Sequence, residues 1–312
     1  MKKPINPATE RGAAIIVALF VTALIAAAAI AMIEHLRIDT RRTELILNNH
    51  QANFYAQGSI AWAMDQLITD WKQKQPGKVI DRTPIISPVN KVNGASISTI
   101  IYDAQGKLNL NNLIDPSFQI VFSRLIQVVA PDVDQETAQL IALGVTDWIT
   151  PGINNSQFDQ YYAKLNPPYR SAHQYMASIS ELRMVRGMTP TLYAKLAPFV
   201  TALPNPTHIN MNSAPIPVIM SFSPLITLQN AKEFDTFRRK SPLASLDALA
   251  NFPNIKNTPI AQSNLTVSSD FFLVKTNVTI GDQHLILYTL MMRFLKNTQP
   301  AVITVWQSQG TL

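Results

Sequence analysis

Several groups of residues have types and spacings that invite a chemical reading. Asp132, Asp134 and Glu136 in PDVDQE have the i, i+2, i+4 spacing of a cation-binding loop. No glycine follows at the sharp turn such a loop uses, and acids just after Pro131 suit the positive end of a helix, so the run is read as a helix start. Asp147, next to Trp148, fits a helix end or a packing contact better than a catalytic acid. Arg183, Arg186, Arg238 and Arg239 could meet phosphates. Phosphate-binding helical hairpins use glycine-rich turns whose amides face the anion. The corresponding stretch Phe222–Thr227 has no glycine, and Pro224 lacks an amide. A solvated basic face is the plainer use of these arginines. The histidines His35, His50, His173, His208 and His284 are scattered, with no HExxH pair. There is no GxSxG elbow and no phosphate loop. The absence of cysteine removes disulfides, thiolate metal sites and cysteine nucleophiles. No catalytic residue, no metal ligand and no enzymatic activity are expected.

The chain has 312 residues and a net charge of +6, of which Lys2, Lys3 and Arg11 against Glu10 supply +2. That is a mild excess and demands no nucleic-acid partner. The 21 prolines concentrate between Pro151 and Pro259, which predicts short helices broken by turns there.

The elements that carry these residues begin with an uncharged stretch from Ala13 to Ile33. Its length matches the roughly 20 residues that cross a bilayer and exceeds a secretory h-region. Ala26 to Ala29 offers small-residue cleavage sites, but the length favours a retained anchor. Positive charge is in excess before the run. Behind it, Arg37, Arg41 and Arg42 balance Glu34, Asp39 and Glu44, so the short N-terminal tail is expected in the cytoplasm and the bulk outside. No glycine or proline interrupts 13–57. Ile60, Ala61, Met64, Leu67, Ile68 and Trp71 then recur at helical spacing. Residues 13 to about 72 therefore read as one helix of roughly 90 Å, ended by Gln75–Lys78.

In Ser96–Leu113, alternation at Ile97, Thr99 and Ile101, an Asp-Ala-Gln-Gly turn, then Leu108 and Leu110 predict a hairpin. Asp270–Phe294 predicts two longer strands joined at Gly281-Asp282. The two chain ends are expected to pair in one antiparallel sheet on the amphipathic helix, with a helical domain inserted between them. Within the insert, Ser178 or Ser180 caps a helix with Glu181 in its first turn, Leu182 and Val185 face inward, and Gly187 ends it. Thr189 and Pro190 start the next helix, with Leu192, Leu196 and Val200 inward until Pro204. Ala231–Arg239 and LASLDALANF repeat the pattern, with breaks at Ser241-Pro242 and Pro253.

The basic leader, the Arg11-Gly12 step, the apolar run and its amphipathic continuation resemble a type IV pilin or a type II secretion pseudopilin. GKLNLNNLI, VTDWIT, PYRSAHQYMASISELRMVRGMTPTLYAKLAPFVTALP and INMNSAPIPVIM, in that order, resemble the K minor pseudopilins of type II secretion (the GspK family) over almost the whole chain. The resemblance implies cleavage between Gly12 and Ala13 by a prepilin peptidase, with N-methylation of Ala13 and Lys2, Lys3 and Arg11 as the leader charge. It implies an α+β fold: a long N-terminal helix, the membrane spine, packed on an antiparallel pilin-type sheet, with a large inserted all-α domain of two SAM-like or helix-hairpin-helix-like modules. The segments are 1–12 leader, 13–33 transmembrane, 34–111 amphipathic helix and first strands, 112–205 first module, 206–258 second module, 259–298 C-terminal strands and 299–312 tail.

The implied function is that of a non-enzymatic minor pseudopilin at the pseudopilus tip, needed for filament assembly and for protein export across the outer membrane. Its implied partners are the I and J minor pseudopilins, the prepilin peptidase, the major pseudopilin filament and the inner membrane, with no nucleic acid. Its implied place is the bacterial inner membrane, single-pass, with the N-terminus cytoplasmic and the bulk periplasmic. Where most pilins carry Glu as the fifth residue after the cut, this chain has Val17, which suits a subunit with no neighbour ahead of it. The family is also associated with calcium in a loop of the insert. The matching stretch here, Thr150–Tyr162, has Asp159 as its only acid, beside Asn154, Asn155 and Gln157, whereas calcium takes about 6 to 8 oxygens including several carboxylates. The calcium site is expected to be weak or lost, and no cofactor is expected. The competing reading is a signal-anchored extracytoplasmic protein whose helix-hairpin-helix-like module binds DNA.

Overall fold

The computed structural model describes residues 7–72, 84–152, 155–256, 258 and 262–311. Helix α1 spans Pro7–Lys72 without a break. The Gln75–Lys78 stop signal lies outside the described residues, as do Lys2, Lys3 and Asn154. The far half of α1 buries Ala52, Ala56, Ile60, Ala63 and Leu67 against the sheet. The inward stripe is narrower than predicted and rotated from it. Ala61 points to solvent and Ala63 lies inside, because the buried stripe recurs at 52, 56, 60, 63 and 67, and its alanines let the helix backbone sit close to the strands.

The strands are β1 (Ile85–Ile86), β2 (Asn90–Val92), β3 (Ala95–Asp103), β4 (Leu108–Asn109), β5 (Val200–Thr201), β6 (Ile209–Asn210), β7 (Leu265–Thr266), β8 (Phe271–Ile280), β9 (Gln283–Lys296) and β10 (Gln299–Gln309). The main sheet runs β1-β3-β8-β9-β10, with β2 also paired to β3, and every pairing in it is antiparallel. The expected union of the two chain ends is the β3–β8 pair, from Ala95↔Ile280 to Asp103↔Phe272. Val274 and Val278 of β8 and Leu287 and Met291 of β9 meet α1.

Two expectations are corrected here. The hairpin from β3 into Leu108 and Leu110 does not form; β4 pairs in parallel with β5 instead. The real hairpin joins β2 to β3 through Asn93 (φ 48°) and Gly94 (φ 78°), the two left-handed residues that a tight hairpin turn requires. Residues 299–312 are also more than a tail. Gln299–Gln309 forms the outer strand β10, and a bulge between Thr304 and Trp306 breaks the alternation that would have marked it.

The insert holds α2 (Pro116–Val129), α3 (Gln135–Ile149), α4 (Gln157–Tyr162), α5 (Pro190–Leu196), α6 (Ile216–Ser221), α7 (Leu228–Lys240) and α8 (Pro253–Lys256). A 3-10 turn at Leu110–Ile114 precedes α2, and others lie between the later helices at Ile179–Met184 and Leu246–Asn251. The expected starts are present: Asp134 of the acidic run caps α3 and Thr189 caps α5. Asp115, Ser156 and Thr227, not read as caps from the sequence, cap α2, α4 and α7. Ser178 and Glu181 form the capping box ahead of Ile179–Met184. Stops were less legible. Val200 lies in β5 beyond the end of α5, and Pro253 opens α8 instead of only closing the previous turn.

The insert is not purely helical. Each half is closed by a two-residue parallel bridge: β4 with β5, then β6 with β7. Leu108, Leu110 and Leu265 therefore belong to the insert's hydrophobic core, outside the expected limits of 112 and 258.

Candidate functional site

The first functional surface is α1. Its apolar side chains from Ile15 to Ile33 stand free, Val17 being 60% exposed. Among the described residues this is one helix long and apolar enough to cross a membrane. The β8–β9 turn fixes the stretch just beyond that run: Arg41 pairs with Asp282 at 3.1 Å and Gln283 donates to the Leu45 carbonyl. The far end is held by buried Arg293 of β9. It pairs with Asp70 at 3.2 Å, donates to the Ser269 carbonyl and lies 4.7 Å from the ring centroids of both Trp71 and Phe272. Ser269 is on the insert's exit, so one guanidinium joins helix, sheet and insert. Between these anchors the outward stripe of α1 shows Phe54, 78% exposed, then Gln57, Gly58, Ala61 and Asp65. Gly12 and Ala13 lie within α1 near its start.

The second candidate is in the insert. Asp147 near the end of α3, Asp159 in α4 and His173 bring ligand-capable atoms within 4.8 Å of one another. Asp159 and Asp147 were each named from the sequence, Asp147 as a helix-end or packing residue; their meeting with each other and with His173 was not expected. His173 Nε2 is 3.0 Å from Asp159 Oδ2, and its Nδ1 is 3.2 Å from the Asp147 carbonyl. Asp159 also accepts from the Ser171 and Ser156 amides, and Asp147 accepts from the Ser171 hydroxyl at 2.7 Å. Burial works against a charged Asp159, but the bonds from His173, Ser171 and Ser156 outweigh it and hold its carboxyl below the usual range.

Among the described residues, this cluster does not fit calcium. Two carboxylates already engaged by protein donors, plus an imidazole nitrogen, fall well short of about 6 to 8 oxygens. What the cluster does is fasten the 150–173 loop onto α3. Aromatic packing beneath it adds to this: Tyr162 stacks on Tyr169 at 4.9 Å and meets Trp148 edge-on at 6.0 Å. Burial pushes the Tyr162 phenol up to about 12, against the hydrogen bond from the Arg186 amide. Trp148 Nε1 donates to Glu181, whose other oxygen accepts from the Ala177 amide.

The asparagine-rich stretches are clasps of the same kind. Asn111, fully buried, bonds the Met176 amide and carbonyl and the Leu203 carbonyl. Asn109 accepts from the Leu203 amide, and Asn112 exchanges two bonds with Thr207. In the second module Asn212 accepts from the Leu243 amide and donates to the Leu243 and Val267 carbonyls. Asn210 joins Asp103 to Ser269. Gly106 belongs to this set because a Cβ there would lie 2.8 Å from the Ser213 backbone.

The arginines weighed for phosphate binding are in use elsewhere. Arg238 is buried, pairing with Asp235 and donating to the Met211 carbonyl. Arg239 shares Asp235 at 2.7 Å. Arg186 lies 4.4 Å from the Tyr161 ring centroid and Arg183 5.5 Å from that of Tyr193. Of the acidic run, Asp134 caps α3, Glu136 sits in its first turn and Asp132 pairs with Lys195.

An apolar N-terminal spine laid on an antiparallel sheet, with fastening networks in the insert and no reactive constellation among the described residues, defines a pilin-class subunit. Residues 106–205 match the family described as "Type II secretion system (T2SS), protein K". The chain is 33% identical over 298 residues to the type II secretion system protein K of Pectobacterium carotovorum subsp. carotovorum, covering 88% of this chain and 89% of that protein. It is 28% identical to that of Klebsiella pneumoniae, with 88% and 89% covered. A solved structure of similar fold is in the GspK-GspI-GspJ complex of the enterotoxigenic Escherichia coli type 2 secretion system. Its TM-score is 0.72 at 23% identity, over 87% of this chain and 100% of that one. The chain belongs to the type II secretion system protein K family and is a minor pseudopilin.

Proposed function

We propose that this pseudopilin caps the tip of the type II secretion pseudopilus and is required for filament assembly and protein export across the outer membrane. The observation that carries the reading is where the insert sits. The exposed apolar run is followed by the Arg41–Asp282 contact, whereas the insert joins the sheet beside Asp70 and Arg293, at the other end of α1. A body of this bulk at the membrane-distal end obstructs any subunit stacked above. Val17 agrees with this, since a buried carboxylate lacking its partner amine would cost several kcal/mol.

The proposed partners are the I and J minor pseudopilins, the company that GspK keeps in the solved complex. The stripe through Phe54, Gly58 and Ala61 is suited to them, because small residues let helices approach closely. In this reading a prepilin peptidase cuts between Gly12 and Ala13, Ala13 is N-methylated, and Lys2, Lys3 and Arg11 keep the leader cytoplasmic. The chain then spans the inner membrane once, with its bulk in the periplasm, and joins the major pseudopilin filament as a structural part without enzymatic activity, nucleic acid or a calcium requirement.

Mass spectrometry of the mature protein tests the processing: a start at Ala13 is expected, and a start near Ala29 would contradict the anchor. Mixing with purified I and J pseudopilins tests the assembly: a 1:1:1 complex is expected, and failure to form one would contradict the partnership.

A further inference from the structure

The face of the sheet turned away from α1 is only partly covered. Where the insert joins it, a groove of about 600 Å³ opens between that face and the segments 177–180 and 200–202. Its floor is Tyr102 of β3, Lys275 of β8, Tyr288 and Leu290 of β9 and Trp306 of β10, and Lys107 stands at its side. The floor follows from strand register. Tyr102, Leu273, Leu290 and Trp306 are successive cross-strand neighbours on one face, and Lys275 faces Tyr288.

The groove sets two lysines, Lys107 and Lys275, against one lining carboxylate, Asp103. Lys107 is half-buried, and among the described residues its ammonium has no hydrogen bond or ion pair. Burial alone pulls its pKa down. Lys275 rests 5.7 Å from the Tyr288 ring centroid. Asp103 offsets one of these charges, but its oxygens are taken by neutral donors rather than by Lys107: it accepts from the Gln105 amide, Asn210 and Ser269, each at 2.7 Å, and from Ser213, so a lysine excess remains. Glu181, behind the far wall, is taken by Trp148 and by the Ala177 and Ser178 amides.

We propose that this groove binds an extended, acidic and apolar peptide segment of a partner protein, with a carboxylate on Lys107 and aromatic or aliphatic side chains on Tyr102, Tyr288 and Trp306. Charge complementarity selects the carboxylate, since a cation held away from water without a partner is costly until an anion meets it. The aromatic floor supplies apolar contact and low-entropy anchors. The groove reaches β10, the sheet's outer strand, and includes Thr311 beyond it, so a polypeptide can enter over that edge from a larger body. The inference does not depend on the tip position.

The test uses the full chain in detergent micelles, with the blocked pentapeptide Leu-Phe-Asp-Phe-Leu and its Asn analogue as probes. Binding is followed by calorimetry and by tryptophan fluorescence. The acidic peptide should bind at least tenfold tighter than the Asn peptide. Lys107→Met should abolish that preference, Lys107→Arg should keep it, and Trp306→Phe should remove most of the fluorescence change. Lys107→Met should also leave Tm unchanged or raise it, because no partner is lost. Absence of binding, equal affinity for the two peptides, or a fall in Tm on Lys107→Met would overturn the proposal. Binding of phenylacetate as tight as that of the acidic peptide would overturn the peptide assignment in favour of a small-carboxylate site.

Discussion

Asp159 gathers two backbone amides and an imidazole on one carboxylate. Its lowered pKa has a direction-specific consequence. A depressed carboxylate contributes stability that is fully present above its unfolded value of about 3.9 and is lost as pH falls through the lower folded value. The insert should therefore weaken on acidification below about pH 4, and Asp159→Asn should be less stable at neutral pH yet flatter in acid. Thermal melts of both proteins from about pH 3 to 7 check this; parallel curves would contradict it. In the same melts millimolar calcium should leave Tm nearly unchanged, since binding stabilises only when ligand exceeds its dissociation constant. A shift of many degrees at micromolar calcium would show a site where the donors do not suggest one. At this scale the sequence was half legible. Asp159 stood out as the only acid of its loop, Asp147 as a helix-end or packing residue, and the caps at Ser178 and Thr189 were readable. That Asp147 and His173 meet Asp159 was not, because only the folding-back of the chain between α3 and His173 brings them together, and no local pattern specifies that register. The asparagines were recognisable as family motifs, yet their task, holding backbone groups far away in the chain, is visible only in three dimensions.

At the level of elements, periodicity served where one face was buried and the other was not. The continuous α1, the β8–β9 hairpin and the pairing of the chain ends were all readable from it. The failures have physical causes. Asn93-Gly94, a strong hairpin signal, lies after short exposed strands with little apolar pattern of their own, which leaves the turn on the other side of β3 the stronger local signal. That second turn feeds the insert, and Leu108 and Leu110 pack into the insert's core instead of returning along β3. β10 was lost to its bulge. Yet β10 covers the outer edge of β9 and sets Val305 and Trp306 against the junction residues Leu203, Phe271 and Leu290. Ending the chain after Thr298 should lower Tm by several degrees and promote self-association, because it bares the long edge of β9. Melting and light scattering would show this; a truncated protein as stable and monodisperse as the full chain would make β10 dispensable.

The whole molecule is a spine with a load at one end. Arg41 and Asp282 mark the end nearer the apolar run, and Arg293, Asp70 and Ser269 tie the other end of the helix to the sheet and to the insert's exit. Only the coarse form of this was readable beforehand: a helical insert of two modules between two halves of one sheet. The bridges that close the modules, β4 with β5 and β6 with β7, were not, because two-residue parallel contacts leave no periodic trace. The arrangement bears directly on where such a subunit can stand. In the capping proposal a repeating subunit needs open space above its own domain, the insert would fill that space, and Val17 offers no carboxylate to a neighbour's amine. Assembling pseudopili with this protein tagged at an exposed insert position, such as Asn254, and locating the tag by gold-label electron microscopy is the direct test. Capping predicts label confined to one end of each filament, and label repeating at regular intervals along the shaft would contradict it.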